Sequence, residues 1–399
     1  MHSKIARRGR TVGGAVAGTV AALALAAAPA QADDAPPYAL PPLVAAGANH
    51  DRNLAAEVNY WTLDRIAQAG FNDDYGNENG QGADAYAPTG GWDALSAPWS
   101  SGGLISRTAG KLLVHMHNTS NSSDTRYDSC SANVVTSANQ SVITAAGHCF
   151  RVDSNYGATG TYEADNAVFI PGFNGAGLAR HVPGGTPGTT LPGPDVAPYG
   201  VWGVTQAWVT YQWQVHSNWS LGADVGMGVV AKPGESRPIG QAVGAQNIAF
   251  DVSGNPKQLY QFGYPTDNIR NWYWGKNNDG TNRSLGVPAA QRRGYDGRTL
   301  MYAHSGTSID DAQLGDMGHD MPSAMSPGSS GGPWLTGFDP ATGTGTQIAV
   351  TSRFTNSTGD APAVNLFGPL SWALGPWSVG QGFGPQSKAV YDLAQAATP

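Results

Sequence analysis

Short apolar runs separated by turn-forming residues dominate the chain from about residue 104 onward. The strand-like runs are 111–116, 132–136, 141–144, 167–170, 225–231, 258–263 and 347–352. Gly, Pro, Asn and Ser separate them at fairly regular intervals, as expected of antiparallel sandwiches or barrels. This pattern predicts an all-β fold, either a sandwich or a barrel, from about residue 104 onward.

Two other segments have helical spacing. Residues 55–69 place apolar side chains at Val58, Trp61, Leu63 and Ile66, and residues 387–397 are also apolar at helical spacing. The first of these helices lies in a stretch that begins acidic and proline-rich and ends in Gly, Asn, Asp and Pro. We therefore predict a pro-segment or N-terminal extension over 33–103 and one domain over 104–399 that ends in a short C-terminal helix.

The N-terminus predicts export. Lys4, Arg7, Arg8 and Arg10 precede an apolar, alanine-rich stretch over 12–28, and Ala30-Gln31-Ala32 then offers a small-x-small cleavage pattern. These features are typical of a signal peptide over 1–32, with cleavage after Ala32. The alternative is a transmembrane anchor, which the cleavage pattern disfavours. The sequence thus predicts a secreted protein without membrane association, and leaves the export route open.

Composition narrows the function classes. The chain has 399 residues, 13% of them charged, and a net charge of −7, and its basic residues are sparse beyond the N-terminus. That balance argues against a nucleic-acid partner, and we expect a monomer.

The two cysteines of this exported chain, Cys130 and Cys149, predict a disulfide that closes a short loop and stabilises the folded protein by about 3 kcal/mol. They are too few for a structural zinc site.

Three separated motifs carry candidate chemistry. Ser330 stands among glycines in Gly328-Ser329-Ser330-Gly331-Gly332-Pro333, and His148 follows a strand in Thr144-Ala145-Ala146-Gly147-His148-Cys149. A serine becomes a useful nucleophile when a histidine takes its proton and backbone N–H groups stabilise the oxyanion. Asp224 leads into a buried strand, so its carboxylate must find a donor, and the Nδ1–H of His148 would be one. We predict His148, Asp224 and Ser330 as a catalytic triad. Alone, each could be structural: a strand-end histidine, a turn aspartate and a surface serine loop.

These residues together resemble the chymotrypsin-like serine peptidases, in particular the trypsin-like and V8-like secreted peptidases of bacteria. The resemblance includes the segments 130–135, 144–149, 169–172, 224–226, 262–265 and 328–333. It implies two six-stranded antiparallel β-barrels packed around a catalytic cleft, with His148 as general base, Asp224 as its orienter and Ser330 as nucleophile. It also implies that the backbone N–H groups of Gly328 and Ser330 form the oxyanion hole, and that the disulfide flanks the histidine.

Departures from that family bear on activation and specificity. Ser329 replaces the aspartate that pairs with a new N-terminus in trypsin-like members, and Ser326 replaces a cysteine. We therefore expect removal of the residues up to about 102–107, without the new N-terminus forming a buried ion pair next to the nucleophile. Ala324 stands at the base of the specificity pocket instead of an acid, so recognition of Arg or Lys is disfavoured. No histidine follows His319, unlike in glutamate-specific relatives. Ser352 and Arg353 are further pocket candidates, and a neutral pocket is favoured.

Three remaining features could also bind a ligand, but each has a simpler structural role. His115 and His117 share one strand face and could together bind a metal ion, but no third ligand is visible in the sequence. A group of aspartates could form a calcium loop but lacks the spacing of an EF-hand: Asp310, Asp311, Asp316 and Asp320. An aromatic set could fill a core, line the cleft or bind carbohydrate: Trp202, Trp208, Tyr211, Trp213 and Trp219. We expect no metal and no cofactor.

The sequence thus predicts a secreted serine endopeptidase that cleaves proteins or peptides through an acyl-enzyme. One alternative is a catalytically silent extracellular binding protein on the same fold. The other is a serine esterase. An esterase on the α/β-hydrolase fold would need the order Ser, Asp, His and a helix after the nucleophile, and Pro333 argues against that helix.

Overall fold

The structure is a computed structural model. It describes residues 35–69, 95–154, 158–180, 188–217, 223–253, 258–266, 297–305, 309–311, 318–325, 327–355 and 377–399. The predicted signal peptide, Asp316, Trp219 and Ser326 lie outside these residues.

The first sheet closes into a six-stranded barrel. Its strands are β3 (Ala109–Asn118), β4 (Asn121–Val134), β5 (Val142–Ala145), β7 (Tyr162–Pro171), β8 (Trp202–Val209) and β9 (Gly226–Ala231), and the short β1 (Tyr38–Ala39) and β6 (Arg151–Val152) flank them. Neighbours around the barrel follow the order β3-β7-β8-β9-β5-β4, and all of these pairs are antiparallel. β1 adds to β8, and β6 adds to β7.

The middle of strand β3, from Leu112 to Val114, is continuously apolar because both of its faces are covered. Leu112, Val114 and Met116 belong to the cluster inside the barrel. Leu113 lies on the opposite face, where it packs in a second cluster that includes Trp61 and Ile66 of the N-terminal segment. Because successive side chains of a strand point to opposite faces, a strand covered on both sides needs apolar residues at consecutive positions.

The second sheet contains the remaining strands. They are β2 (Ala97–Pro98), β10 (Asn247–Ile248), β11 (Leu259–Gly263), β12 (Met301–Ser305), β13 (Ile309–Asp311), β14 (Gly318–Pro322), β15 (Pro333–Asp339), β16 (Thr344–Thr355) and β17 (Trp377–Gly382). Their order is β13-β14-β17-β16-β15-β11-β12-β2, and β10 pairs in parallel with β16. The six strands from β14 to β12 form a half-barrel whose two end strands contact each other. The predicted all-β fold with two six-stranded barrels is confirmed: the first barrel is closed and the second is a half-barrel.

In the described ranges, α-helices are few and lie outside the sheets. They are α1 (His50–Tyr60), α2 (Leu63–Ala69), α3 (Ile105–Thr108), α4 (Tyr211–His216), α5 (Ile239–Val243) and α6 (Pro385–Ala396). The single helix predicted over 55–69 is two helices, because the chain leaves helical geometry at Trp61, with ψ at 76°. Trp61 is fully buried there, so its packing overrides continuation of the helix. The predicted C-terminal helix is present as α6, with Pro385 in its first turn, a position that proline favours. Among the described residues, no helix is long and apolar enough to span a membrane.

The two sheets meet through buried polar pairs. Asn133 Nδ2 of β4 donates to Gln347 Oε1 of β16 at 2.8 Å, and Gln347 Nε2 donates to Thr144 Oγ1 of β5 at 2.9 Å. All three side chains are buried. Because unpaired amides in a core are costly, these bonds fix the register between the sheets. They anchor β5, the strand that leads to His148.

Candidate active site

His148 lies in a short 3-10 turn, Gly147–Cys149, that directly follows β5. The backbone of Ala146 is still extended, and the N–H of Cys149 bonds to the Ala146 carbonyl oxygen at 3.2 Å. The predicted disulfide between Cys130 and Cys149 is present and ties this turn to β4. A strand and a covalent bridge therefore hold the histidine from two sides, as precise positioning of a base requires.

The disulfide packs against the imidazole itself. Both of its sulfur atoms lie within 4.8 Å of a ring nitrogen of His148. Metal ligation by cysteine needs a thiolate, and sulfur atoms joined in a disulfide do not provide one. The group of Cys130, Cys149 and His148 is therefore a packing contact and not a zinc centre.

Asp224 is enclosed by three hydrogen-bond donors just before β9, and it is 1% exposed. The backbone N–H of His148 donates to Asp224 Oδ1 at 2.8 Å, and His148 Nδ1 lies 2.8 Å from Asp224 Oδ2. Ser352 Oγ donates to the same Oδ2 at 2.7 Å. Because a carboxylate accepts these bonds, the imidazole proton is assigned to Nδ1, and Nε2 is then the ring nitrogen that can accept a proton. The structure thus brings together the residues predicted as base and orienter.

A tryptophan explains the glycine before the histidine. A Cβ at Gly147 would lie 2.8 Å from the Trp213 ring and 3.2 Å from Asp224 Oδ1. Trp213 is fully buried in α4, and its Nε1 donates to the Arg151 carbonyl oxygen at 2.7 Å. The indole therefore forms a fixed wall beside the His148–Asp224 pair. Any side chain at position 147 would displace one of the two.

The loop that carries Ser330 is pressed against the strand that carries His148. A Cβ at Gly331 would lie 2.9 Å from the Ala146 nitrogen and 3.0 Å from the Ala145 Cα. The φ of Gly331 is also +78°, in the left-handed region that favours glycine. Both observations require glycine after the predicted nucleophile. They show that the serine and histidine motifs, distant in sequence, are in van der Waals contact through their backbones.

Backbone bonds from both sheets hold this loop. The N–H of Ser131 in β4 donates to the Ser330 carbonyl oxygen at 2.7 Å, and the N–H of Gly331 donates to the Thr351 carbonyl oxygen of β16 at 2.7 Å. Ser330 itself is half-buried. Within the part of the chain that the structure describes, the N–H groups of Gly328 and Ser330 have no acceptor. Two unpaired backbone donors at a buried loop are uncommon, and they are what an oxyanion hole offers.

The predicted pocket residues divide into two environments. Ala324 is buried in an apolar cluster that includes Met321, Met325 and Trp334. Ser352 and Arg353 lie side by side on β16, where Arg353 is half-buried and pairs with Val379. Ser352 is turned to Asp224, a contact that sequence reasoning missed. Its only sequence signal is a hydroxyl residue at the end of an apolar strand, which is too common to be selective.

Three tryptophans of the aromatic set contribute to the core. Trp202, Trp208 and Trp213 are each no more than 4% exposed, so they offer no open platform. Asp320 is also buried, and the backbone of Asp310 and Asp311 pairs with β14.

The two histidines of β3 share a carboxylate that the sequence did not reveal. Asp165 Oδ1 lies 2.6 Å from His115 Nδ1, and Asp165 Oδ2 lies 3.3 Å from His117 Nδ1. The register of β3 against β7 shifts between His115 and Met116, and this shift places Asp165 on the histidine face. One imidazole thus faces each carboxylate oxygen.

Comparisons with known proteins give structural likeness only. No family model matches the sequence, and no curated protein matches it. Solved structures that it resembles include the protease Anisep from Arthrobacter nicotinovorans, with 21% identity, a TM-score of 0.47 and coverage of 73% of this chain and 96% of that one. The thermostable serine protease AL20 from an extremophilic microorganism has 23% identity and a TM-score of 0.47, over 74% of this chain and 100% of that one. A Glu endopeptidase has 12% identity and a TM-score of 0.41, over 71% and 90%. All three likenesses are below 25% identity, so any activity must be inferred from the geometry of the site itself.

Proposed function

We propose that this protein is a secreted serine endopeptidase with His148, Asp224 and Ser330 as its catalytic triad. The observation that carries the proposal is the pairing of Asp224 with both the backbone N–H and the Nδ1 of His148, each at 2.8 Å. The contact of Gly331 with Ala145 and Ala146 supports it, because this contact brings the serine loop beside the histidine turn.

Acylation follows from these roles. The Ser330 Oγ attacks the carbonyl carbon of the scissile peptide bond, and His148 Nε2 takes the hydroxyl proton. The carbonyl oxygen becomes an oxyanion, which accepts hydrogen bonds from the N–H groups of Gly328 and Ser330. When the C–N bond breaks, His148 returns the proton to the leaving amine. The substrate's acyl group remains as an ester of Ser330.

Deacylation repeats the same steps with water. His148 takes a proton from a water molecule whose oxygen attacks the ester carbonyl carbon. The second tetrahedral intermediate collapses, the Ser330 oxygen leaves and receives the proton from His148, and a carboxylic acid product departs. Asp224 keeps the imidazole oriented throughout and stabilises its protonated form. This cycle consumes one water and needs no cofactor.

The substrates would be proteins or peptides with a neutral side chain at the cleaved residue. Ala324, at the base of the proposed pocket, is surrounded by apolar side chains. Ala324 has no carboxylate that could pair with an arginine or lysine side chain of the substrate. Burying that positive charge without a partner would be costly in free energy.

Secretion is part of the proposal, with the leader at residues 1–32 removed. The disulfide supports it, since such bonds persist in oxidising compartments.

The deciding experiment is active-site labelling. A fluorophosphonate probe should label Ser330 of the secreted protein, as found by peptide mapping, and Ser330→Ala should abolish labelling and peptide hydrolysis. Ser120→Ala, at an exposed turn serine, is the matched control and should behave as wild type. Labelling at Ser329, or undiminished hydrolysis by Ser330→Ala, would refute the assignment.

The same assay separates the two alternatives. A silent binding protein would neither take the probe nor hydrolyse peptides. An esterase would take the probe and cleave activated esters, but would leave a peptide library intact.

A further inference from the structure

The peptide bond before Gly328 is held in one orientation by Thr266. The Pro327 carbonyl oxygen accepts from the Thr266 backbone N–H at 2.8 Å and from Thr266 Oγ1 at 3.0 Å. This peptide bond is trans, as no cis bond occurs among the described residues. In a planar trans peptide the N–H points opposite to the C=O. Two bonds to the Pro327 oxygen therefore also set the direction of the Gly328 N–H, away from Thr266.

The next peptide bond is held by Ser131. Ser131 Oγ donates to the Gly328 carbonyl oxygen at 2.8 Å and accepts from the Tyr264 backbone N–H at 2.9 Å. Ser131 is 1% exposed, so water does not compete for this hydroxyl. Since its Oγ already accepts from Tyr264, its single proton is committed to Gly328. The same residue also holds the Ser330 carbonyl through its backbone N–H.

These contacts matter because Gly328 could easily turn. A glycine has no Cβ to restrict rotation, and its φ of +89° is one that few other residues adopt. If the peptide before it rotated, the carbonyl oxygen of Pro327 would replace the N–H of Gly328. A carbonyl there would repel a developing oxyanion, so the site would lose one of its two donors and gain a repulsive dipole.

We propose that Thr266 and Ser131 are positioning residues that fix the oxyanion hole, by anchoring the carbonyl groups on both sides of Gly328. Neither side chain would touch substrate. The inference rests on the proposed function and adds to it, since it assigns two hydroxyl groups from separate parts of the chain to the orientation of one N–H donor.

Thr266 offers the sharper test, because it is half-buried and its replacement should be tolerated by the fold. Thr266→Val keeps the shape and removes the hydroxyl, whereas Thr266→Ser keeps the hydroxyl. Removing an oxyanion donor outright costs about 10²–10³ in kcat, and Thr266 retains its backbone bond. We therefore expect Thr266→Val to lower kcat roughly tenfold with KM unchanged, and Thr266→Ser to restore it.

The matched control is Thr205→Val. Thr205 is a buried threonine of β8 whose hydroxyl also bonds a backbone carbonyl, that of Val229, at 3.2 Å. A structural role alone would give both valine variants similar losses of melting temperature and no change in kcat.

A transition-state analogue gives an independent readout. A peptide aldehyde forms a hemiacetal whose oxygen needs the oxyanion hole, so its Ki should rise with Thr266→Val in proportion to the fall in kcat. Ser131→Ala should act in the same direction. In the double variant the two losses should not add, because both act on the same N–H group.

Two outcomes would overturn the inference while leaving the proposed function intact. In both, the wild-type protein is labelled at Ser330. In the first, Thr266→Val leaves kcat and the aldehyde Ki unchanged. In the second, Thr266→Ser is as impaired as Thr266→Val. Absence of labelling in the wild type would instead refute the proposed function, and this inference with it.

Discussion

At the scale of single residues, the site is built by burying a carboxylate and then surrounding it with donors. Asp224 has almost no contact with water, so each of its oxygens must be satisfied by protein. His148 supplies two donors and Ser352 a third. Charge-assisted bonds of this kind are directional, so the ring of His148 has one preferred orientation.

Replacement of that carboxylate should separate catalysis from folding. Asp224→Asn keeps the shape but presents an amide that can donate to Nδ1, which favours the wrong imidazole tautomer. We expect kcat to fall by up to about 10⁴-fold with little change in melting temperature. Steady-state kinetics and thermal unfolding measure the two effects.

Asp251→Asn is the control for this prediction. Asp251 is exposed, with a φ of +56° that asparagine also tolerates. Near-normal turnover in Asp224→Asn would contradict the role and direct attention to another acid, such as Asp195.

Residues of the site differ in how well the sequence alone reveals them. Glycines around Ser330 and small residues before His148 are local signals, because the backbone itself must turn or approach closely there. Trp213, Ser352 and Thr266 act through contacts with residues far away in the chain. A single tryptophan, serine or threonine carries no mark of such a partner, so only the folded geometry reveals it.

At the scale of elements, one covalent bridge joins β4 to the turn of His148. The double variant Cys130→Ala, Cys149→Ala removes the bridge without leaving a free thiol. We expect the free energy of unfolding to fall by about 3 kcal/mol, from the loop-closure entropy regained by the unfolded chain. Urea denaturation measures this loss.

The control for the bridge is the wild type with its disulfide reduced. It should unfold at the same urea concentration as the double variant. Equal stability of the oxidised wild type and the double variant would contradict the prediction.

Helix α1 is attached to the barrel by a buried acid. Glu57 Oε1 accepts from the Ala167 N–H and Oε2 from Asn166 Nδ2, each at 2.8 Å. Burial, with a smaller contribution from nearby Asp165, raises the pKa of Glu57 to about 8 from its ordinary value of 4.5, although the Ala167 bond opposes this shift. A raised carboxyl pKa means that the folded state binds the proton more tightly than the unfolded state does.

The free energy of unfolding should therefore fall as the pH rises from about 4.5, the ordinary pKa of a glutamate, to about 8, the pKa of Glu57 in the folded protein. Above that pH the ionised Glu57 lies buried near Asp165. Glu57→Gln keeps the shape and cannot ionise, so it should remove this part of the pH dependence. His115 and His117 also face Asp165, and they remain in both proteins. Melting temperatures from pH 5 to 9 test this: parallel curves for the wild type and Glu57→Gln would contradict the prediction.

Elements differ in how well their pattern reveals them. Strands β5 and β9 are largely apolar, because nearly all of their residues are buried, and the sequence predicted both strands within one residue of their bounds. The first half of β4, over 121–129, is polar, and its exposed residues gave no strand signal. It is a strand because β3 supplies backbone partners for Asn121 and for each residue from Thr125 to Ser129. Long-range pairing of this kind overrides local composition.

At the scale of the whole molecule, the segment before residue 70 is packed against the barrel and buries large apolar side chains there. β1 pairs with β8, and Leu40 lies in the cluster inside the barrel. Trp61 and Ile66 are fully buried and contact the outer face of β3 through Leu113. Trp61 Nε1 also donates to Asn166 Oδ1 of β7 at 2.5 Å. Removing this segment would expose large apolar side chains, each worth about 1.5–3 kcal/mol of burial.

We therefore predict that the segment stays bound in the active secreted protein, even where the chain is cut near residues 102–107. Trp61→Ala distinguishes retention from loss. If the segment is retained, the secreted variant should be about 3–5 kcal/mol less stable than the wild type, the usual cost of truncating a buried tryptophan. If the segment leaves during maturation, both secreted proteins are the same molecule and must have the same melting temperature.

The control is Leu393→Ala, at a leucine of α6 that is 43% exposed, and it should cost little stability in either case. Identical melting temperatures for the secreted wild type and Trp61→Ala, together with a terminal sequence that begins near residue 103, would show that the segment is a removable pro-segment.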